Sequence, residues 1–301
     1  MREPVYSVII PTYNRSGMLR EAIRSVIDQS FQDFEILVID DHSTDDTRNA
    51  VEEFNDDRIQ YILNDRQQGG AGTRNCGIFR AKGRWTAFLD DDDIWLPEKL
   101  EIQYNKIKEI DHSTGFLYSG YSYKSPRKRW DGHVFTPRFE GQIMNDLLYD
   151  NYIGALCTVL IRTDILKEIG GFDERFRAHQ DIDLYVRAAA VTKVAFVKDC
   201  LATVTLHSEN RITLDYEKKL EACLLFWEKH ADLIKLKYRL LHRIASRVFV
   251  FAVALGNVSK IQKCLIWALS GAFIDPKNFI WMMRSTLSIY FKSKLQKRSM
   301  E

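Results

Sequence analysis

An α/β fold is predicted for this 301-residue chain: a doubly wound, mostly parallel sheet flanked by helices, with a helical extension at the C-terminus. Three observations predict it. Apolar strand-like runs alternate with amphipathic helical patterns through residues 1–110, the arrangement that parallel βαβ units produce. Two of these runs end in carboxylates, Asp40-Asp41 and Asp90 to Asp93. From Leu233 onward the pattern turns helical and strongly basic.

The elements follow in order. Val5 to Ile10 reads as a strand, and Ser16 to Gln29 as a helix with Leu19, Ile23, Val26 and Ile27 on one face. Phe34 to Ile39 is a strand, Thr44 to Phe54 a helix and Ile59 to Leu63 a strand. A glycine-rich turn at Gly69-Gly70-Ala71-Gly72 opens a helix to Lys82, followed by strand Trp85 to Leu89. Pro97 suits the first turn of the next helix, Glu98 to Ile110. Gly115 to Phe139 alternates in an aromatic-rich pattern with basic turns and reads as strands and loops on the acceptor side. Short helices are expected at Asp164 to Ile169 and Asp181 to Val191, and short strands at Val194 to Val197 and Ala202 to Leu206. A helix over Asp215 to Ala231 closes the body, giving domains 1–232 and 233–301.

The four aspartates Asp90 to Asp93 carry the most information. Neighbouring carboxylates repel one another, and keeping them ionised needs a cation or a solvated edge. They lie at the carboxyl end of a strand, where open α/β sheets bind ligands. A hard divalent cation holding a diphosphate would account for them; two aspartates alone would read as a solvated turn. Asp40-Asp41 ends the neighbouring strand in the same way, able to accept from a base edge or a ribose, with helix capping by Asp41 or Ser43 as the plainer role. Pro11-Thr12-Tyr13-Asn14 adds a third loop at that edge. His207 follows the last core strand and reads equally as a ligand near a diphosphate or metal and as a structural histidine.

Composition narrows the class. The net charge of +2 hides an asymmetry: residues 233–301 hold thirteen Lys and Arg against two acids, and the rest of the chain carries a net −9. An acidic body and a basic tail imply different partners for the two parts. Within the tail, Leu236, Leu240, Ile244 and Val248 recur at helical spacing beside Arg239, Arg243 and Arg247. That suits either an interfacial helix on anionic lipid or a packed helix with a solvated basic face. Phe279 to Met283 and the terminal Lys292, Lys294, Lys297 and Arg298 favour the membrane surface. The five cysteines are dispersed without a C-x-x-C pair, which fits a reducing cytosol. No apolar run approaches the roughly 20 residues that span a bilayer, and no signal peptide is expected ahead of the first strand. The expected location is cytoplasmic, peripheral at the inner face of the plasma membrane.

Five segments together resemble glycosyltransferase family 2, the inverting nucleotide-sugar glycosyltransferases with a GT-A fold. They are Val8-Ile-Ile-Pro-Thr-Tyr-Asn14, Val38-Ile-Asp-Asp-His-Ser-Thr-Asp45, Gly69-x-x-x-x-Arg-Asn-x-Gly77, Phe88-Leu-Asp-Asp-Asp-Asp-Ile-Trp-Leu-Pro97 and His179-Gln-Asp-Ile-Asp-Leu184. The resemblance implies a nucleotide-diphosphate sugar donor, a UDP-sugar first, and a saccharide or lipid-linked saccharide acceptor in surface polysaccharide assembly. It implies Mn2+ or Mg2+ as cofactor and no nucleic-acid partner. Pro11, Thr12, Tyr13, Asp40 and Asp41 match positions around the nucleotide, and Arg74 an arginine beside it. Asp92 matches the metal ligand with Asp90 its partner, and Asp90 or Asp91 stands nearer the ribose and sugar. Asp181 matches the general base. Asp93 is left to begin the next helix, and Asp183 to cap or pair. Two residues depart from the family pattern: Thr73 stands for the usual alanine before the arginine, and Gln180 for the usual glutamate before the base.

Three other classes are weighed against this. A dinucleotide-binding oxidoreductase would want a third glycine after Gly70-Ala-Gly72, and a turn after the first strand. A nucleotidyltransferase would want a glycine- and lysine-rich first loop, where Pro11 to Gly17 offers only Arg15. An inactive membrane-surface binding protein of the same fold would show losses at the metal or base positions, and all are present.

Overall fold

The computed structural model describes residues 3–65, 67, 69–207, 215–234, 238–257, 259–261, 275–280 and 282–287, without the side chains of 238 and 239. The stretches 208–211 and 264–274, and the terminal cluster Lys292, Lys294, Lys297 and Arg298, lie outside the described residues. The chain forms two compact units, Met1–Glu174 with Gln180–Glu209, and Arg175–His179 with Asn210–Glu301.

The first unit opens as β1 (Tyr6–Thr12), α1 (Ser16–Ile27), β2 (Phe34–Asp40), α2 (Thr47–Glu52), β3 (Ile59–Leu63), α3 (Gly69–Arg80) and β4 (Trp85–Phe88). It continues through β5 (Ile94–Trp95), α4 (Lys99–Glu109), β6 (Thr114–Lys124), β7 (Val134–Phe135) and α5 (Met144–Tyr149). It ends with β8 (Leu160–Arg162), α6 (Thr163–Glu168), α7 (Gln180–Val191) and β9 (Lys193–Thr205). One sheet runs β3-β2-β1-β4-β8-β6-β9-β5, with β7 paired to β6. β3, β2, β1 and β4 are mutually parallel, as their alternation with helices predicts. β8 enters antiparallel to β4 and to β6, and β6 and β9 pair in parallel, so this half of the sheet is mixed.

Every residue of β2 is buried, as befits a strand covered on both faces. α1 lays Leu19, Ala22, Ile23 and Val26 onto the sheet at the three-and-four spacing read from the sequence. The main core gathers Val8, Ile10, Ile23, Val38, Ala87, Trp95, Leu100 and Leu117. Gly77 of α3 comes so close to β1 that an added Cβ would lie 2.7 Å from Ile9.

Several expectations are corrected. Asp93 does not begin a helix: Ile94–Trp95 is a short strand on β9, and α4 starts only at Lys99, beyond Pro97. The two strands expected after residue 193 are one, β9, kept continuous by register shifts against β6 around Gly120. Neither α5 nor β8 was expected; α5 has six residues and β8 three, too short for periodicity to register. Asp41 does not cap α2, because its carboxylate accepts from Gly69 N at the start of α3.

The second unit contains α8 (Tyr216–Lys229), α9 (Ala231–Ile234), α10 (Tyr238–Ala254) and the helical residues 276–280 and 282–287. Asp215 caps α8, its side chain accepting from Lys218 N. Leu240, Ile244 and Val248 are buried. At these three positions the apolar stripe read as a candidate lipid face is therefore interior; Leu236 lies outside the described residues.

Candidate active site

The carboxyl ends of β1, β2 and β4 converge because these three strands are parallel neighbours in near register. Pairing of Thr12 with Asp40 brings the first two expected loops together. Asn14 and His42, at these tips, hold positive φ of 53° and 70°. Such strained backbone in non-glycine residues concentrates at functional loops. Asn14 N donates to Ser43 Oγ at 2.9 Å and Thr44 N to Asn14 Oδ1 at 2.7 Å, which ties the two loops to each other.

The four aspartates take different sets of partners, with Arg15 shared between Asp91 and Asp92. Asp90 forms an ion pair with Arg74 of α3. Asp91 is buried and accepts from Thr12 Oγ1 at 2.9 Å and from Arg15 Nη1 at 3.0 Å. Asp92 Oδ2 meets Arg15 Nη1 at 2.9 Å and His207 Nε2 at 3.0 Å. Asp93 is buried and accepts from Thr205 N at 3.0 Å, with the Cys157 thiol near enough to act on its carboxyl. Burial pushes the Asp91 carboxyl up to about 6, against the opposing pull of Arg15 and Thr12. Burial also raises Asp93 well above the usual range, and Asp90 adds to it.

Asp40 and Asp41 are buried and committed. Asp40 accepts from Ser43 N at 2.8 Å and from Tyr61 Oη at 2.6 Å; Asp41 accepts from Asn64 Nδ2 at 3.0 Å and Gly69 N at 2.9 Å. Tyr13 is 46 % exposed at the rim, and Pro11 precedes it inside β1.

Asp181 stands in the first turn of α7, with Arg74 and Asp90 among the charges that act on it. Burial raises its pKa, and backbone N–H groups at the helix start and Arg74 oppose that rise. Asn151 Nδ2 donates to Asp181 Oδ2 at 3.1 Å. Two buried polar atoms in this neighbourhood, Arg74 Nε and Tyr185 Oη, have no hydrogen-bond partner. Buried polar atoms are rarely left so unless a ligand or water completes them. Gln180 Oε1 lies 3.5 Å from Arg74 Nη1, and Asp183 pairs with Arg187 at 2.9 Å inside the same helix.

Asp92 and His207 are thus brought together, whereas Asp90 turns to Arg74. Among the described residues no group of three or more His, Cys, Asp or Glu side chains is placed to hold a metal ion. Sequence reading missed Arg15 as a partner of the acid cluster and Asn151 as a partner of Asp181. Arg15 could have been found by asking which cation the first loop offers a strand-end cluster; Asn151 carries no local signal.

A curled sheet flanked by helices, with a cluster of carboxylates at the carboxyl edge of its parallel strands, defines a GT-A fold. The family model described as Glycosyl transferase family 2 matches residues 7–170, and the chain belongs to that family. An uncharacterized glycosyltransferase from Rickettsia prowazekii is 30 % identical over 210 residues, 68 % of this chain and 65 % of that protein. The Escherichia coli enzyme WfgD, a UDP-Glc:α-D-GlcNAc-diphosphoundecaprenol β-1,3-glucosyltransferase, is 37 % identical over 163 residues, 54 % of this chain and 62 % of WfgD. Each match spans less than two thirds of the relative's own length. Among solved structures, S. aureus TarS 1-349 in complex with UDP-GlcNAc superposes with a TM-score of 0.60 at 18 % identity, over 98 % of this chain and 92 % of that one. The mannosyltransferase PcManGT from Pyrobaculum calidifontis, in complex with GDP-Man and Mn2+, gives 0.57 at 17 % identity, over 99 % and 89 %. At these identities the two structures bear on the fold alone.

Proposed function

We propose that this chain is an inverting glycosyltransferase that moves a sugar from a UDP-sugar to a hydroxyl of a lipid-linked saccharide, with Asp181 as general base. The observation that carries the reading is the gathering of Asp90, Arg74 and Asp181 in one electrostatic cluster, drawn from the loop after β4, from α3 and from α7. WfgD supports the donor and acceptor class, because its name states a UDP-glucose donor and a diphosphoundecaprenol-linked acceptor.

The acceptor hydroxyl attacks the anomeric carbon from the face opposite the diphosphate, and its proton passes to Asp181. The new C–O bond forms as the glycosyl–phosphate bond breaks, its electron pair leaving on the nucleoside diphosphate. A carboxylate whose burial raises its pKa is the stronger base for that proton. Arg74, held over the site by Asp90, supplies a fixed positive charge on the nucleotide side. Thr12, Asp40, Asp41 and Asp91, with Pro11 and Tyr13, form the nucleotide-facing rim.

Asp92 and His207 would hold a divalent cation. Asp92 Oδ2 and His207 Nε2 lie 3.0 Å apart, within reach of one shared ion. Hard cations of this kind complete their shell with substrate phosphates and water. The cation would neutralise charge on the departing diphosphate.

The acceptor's lipid carrier places the enzyme at an anionic bilayer surface. Support comes from the helical residues 276–280 and 282–287, where Ile280, Met283 and Leu287 recur at helical spacing and are all exposed. Lys277 and Arg284 are exposed alongside them. An apolar stripe edged by cations suits an interfacial helix. No helix among the described residues is long and apolar enough to cross a membrane.

The test is turnover of a panel of UDP-glucose, UDP-galactose, UDP-GlcNAc and GDP-mannose with Mn2+, comparing wild type with Asp181→Asn. We expect one UDP-sugar to be consumed, and Asp181→Asn to keep UDP binding while losing turnover. Retained turnover in Asp181→Asn would show that another group is the base.

A further inference from the structure

Asp181 needs more than basicity: its carboxylate must present one oxygen to the acceptor in a fixed orientation. Its partner for the other oxygen comes from a segment far away in sequence, the loop between α5 and the single turn Leu156–Thr158. In that loop Asn151 Oδ1 accepts from Gly154 N at 2.8 Å and Ile153 N at 3.2 Å. Two backbone donors on the oxygen leave no doubt which end of the amide is which. The nitrogen therefore carries the remaining contacts, donating to Gly154 O at 3.2 Å and to Asp181 Oδ2 at 3.1 Å.

The loop is held just after Asn151. Ile153 is fully buried, and Gly154 adopts a φ of 88° against Tyr121, where an added Cβ would lie 2.7 Å from the ring. Only glycine suits that conformation and that approach. A rigid loop thus aims one N–H at one carboxylate oxygen.

We propose that Asn151 is a positioning residue for the base, fixing the Asp181 carboxylate through Oδ2 so that Oδ1 is left to take the acceptor proton. The inference rests on the reading of Asp181 as base. The donated bond favours the charged carboxylate, so Asn151 also keeps Asp181 ionised at the working pH. The other charged and titratable groups acting on Asp181 are Arg74 from α3, Asp90 after β4, Tyr121 of β6 and Tyr185 of α7.

Asn151→Asp separates this role from loop structure. Aspartate can still accept from Ile153 N and Gly154 N, so the turn is kept, but it presents an oxygen where Asn151 presents a donor. The measurement is the pH profile of nucleoside diphosphate release by hydrolysis of the most active panel sugar, at saturating Mn2+, beside UDP affinity and Tm. We expect the acidic limb to move up by about one pH unit, the scale of one charge-assisted hydrogen bond. We expect kcat to fall about tenfold or more, with UDP affinity unchanged. Asn151→Ser keeps a local acceptor but is too short to reach Asp181, and the same limb should move in the same direction.

An unmoved acidic limb in a folded Asn151→Ser overturns the proposal, because that variant removes the donor without adding a charge and a purely structural Asn151 predicts no shift there. If Asp181→Asn retains turnover, the base reading falls and this inference falls with it. If Asp181→Asn is inactive and a folded Asn151→Ser keeps the wild-type limb, this inference alone is wrong.

Discussion

Lys99 is the least expected charged residue in the first unit. It is fully buried, its Nζ lies 2.6 Å from Gln103 Oε1 and 4.2 Å from the centroid of the Trp95 ring, and no carboxylate pairs with it there. Burial pulls its pKa from 10.5 down to about 7. Below pH 7 the lysine is protonated in folded and unfolded chains alike, and the full cost of burying the ammonium is present. Above pH 7 the folded protein sheds the proton while the unfolded chain keeps it until about 10.5, so stability rises with pH through this window. The rise approaches about 1.4 kcal/mol per pH unit, and comes to about 5 kcal/mol over the whole shift and about 2 kcal/mol between pH 7 and 9, since the folded lysine is already half deprotonated at pH 7. Lys99→Met removes the titration and keeps the volume. Urea unfolding of both proteins at pH 7, 8 and 9 reads the difference, in which titrations common to both cancel. The stability of wild type relative to Lys99→Met should climb by about 2 kcal/mol from pH 7 to 9. Parallel stability–pH curves would refute the reasoning, since they would mean that Lys99 titrates alike in both states.

Two further outcomes are expected. Arg15 is 42 % exposed and would compete for Asp92 with an incoming cation, so Arg15→Ala should tighten binding of Mn2+ alone about three- to tenfold by EPR titration, on the scale of a half-exposed ion pair; unchanged or weaker binding would contradict that competition. Replacing Ile280 and Leu287 together by Glu should weaken binding to phosphatidylglycerol vesicles about tenfold or more, from lost apolar burial and added repulsion, while neutral vesicles bind poorly in either case; equal sedimentation of the two proteins with anionic vesicles would remove this face as the lipid contact.

Much of the site was legible because each motif loop follows a strand whose period and burial are local properties. The apolar run of β2 ends in Asp40, and that of β4 leads through Leu89 into Asp90. The separate jobs of Asp90 to Asp93 were not legible. They depend on Arg74, Arg15, His207 and Thr205, which sit between 16 and 115 residues away from them in the chain. Asp93 illustrates this: next to Pro97 it looks like a helix start, yet pairing of Ile94 with Thr203 makes it a buried link to β9.

The sequence by itself determined the parallel first half of the sheet, the edge at which the chemistry collects, and the family to which the chain belongs, because strand period, strand-end carboxylates and motif order are all written in short segments. Only the tertiary structure decided how β8 and β9 complete the sheet, that Leu240, Ile244 and Val248 are interior, and that Asn151 meets Asp181. The physical reason is common to all three. Burial and a directed hydrogen bond require two distant segments to arrive at the same place, and neither segment alone carries a sign of the other.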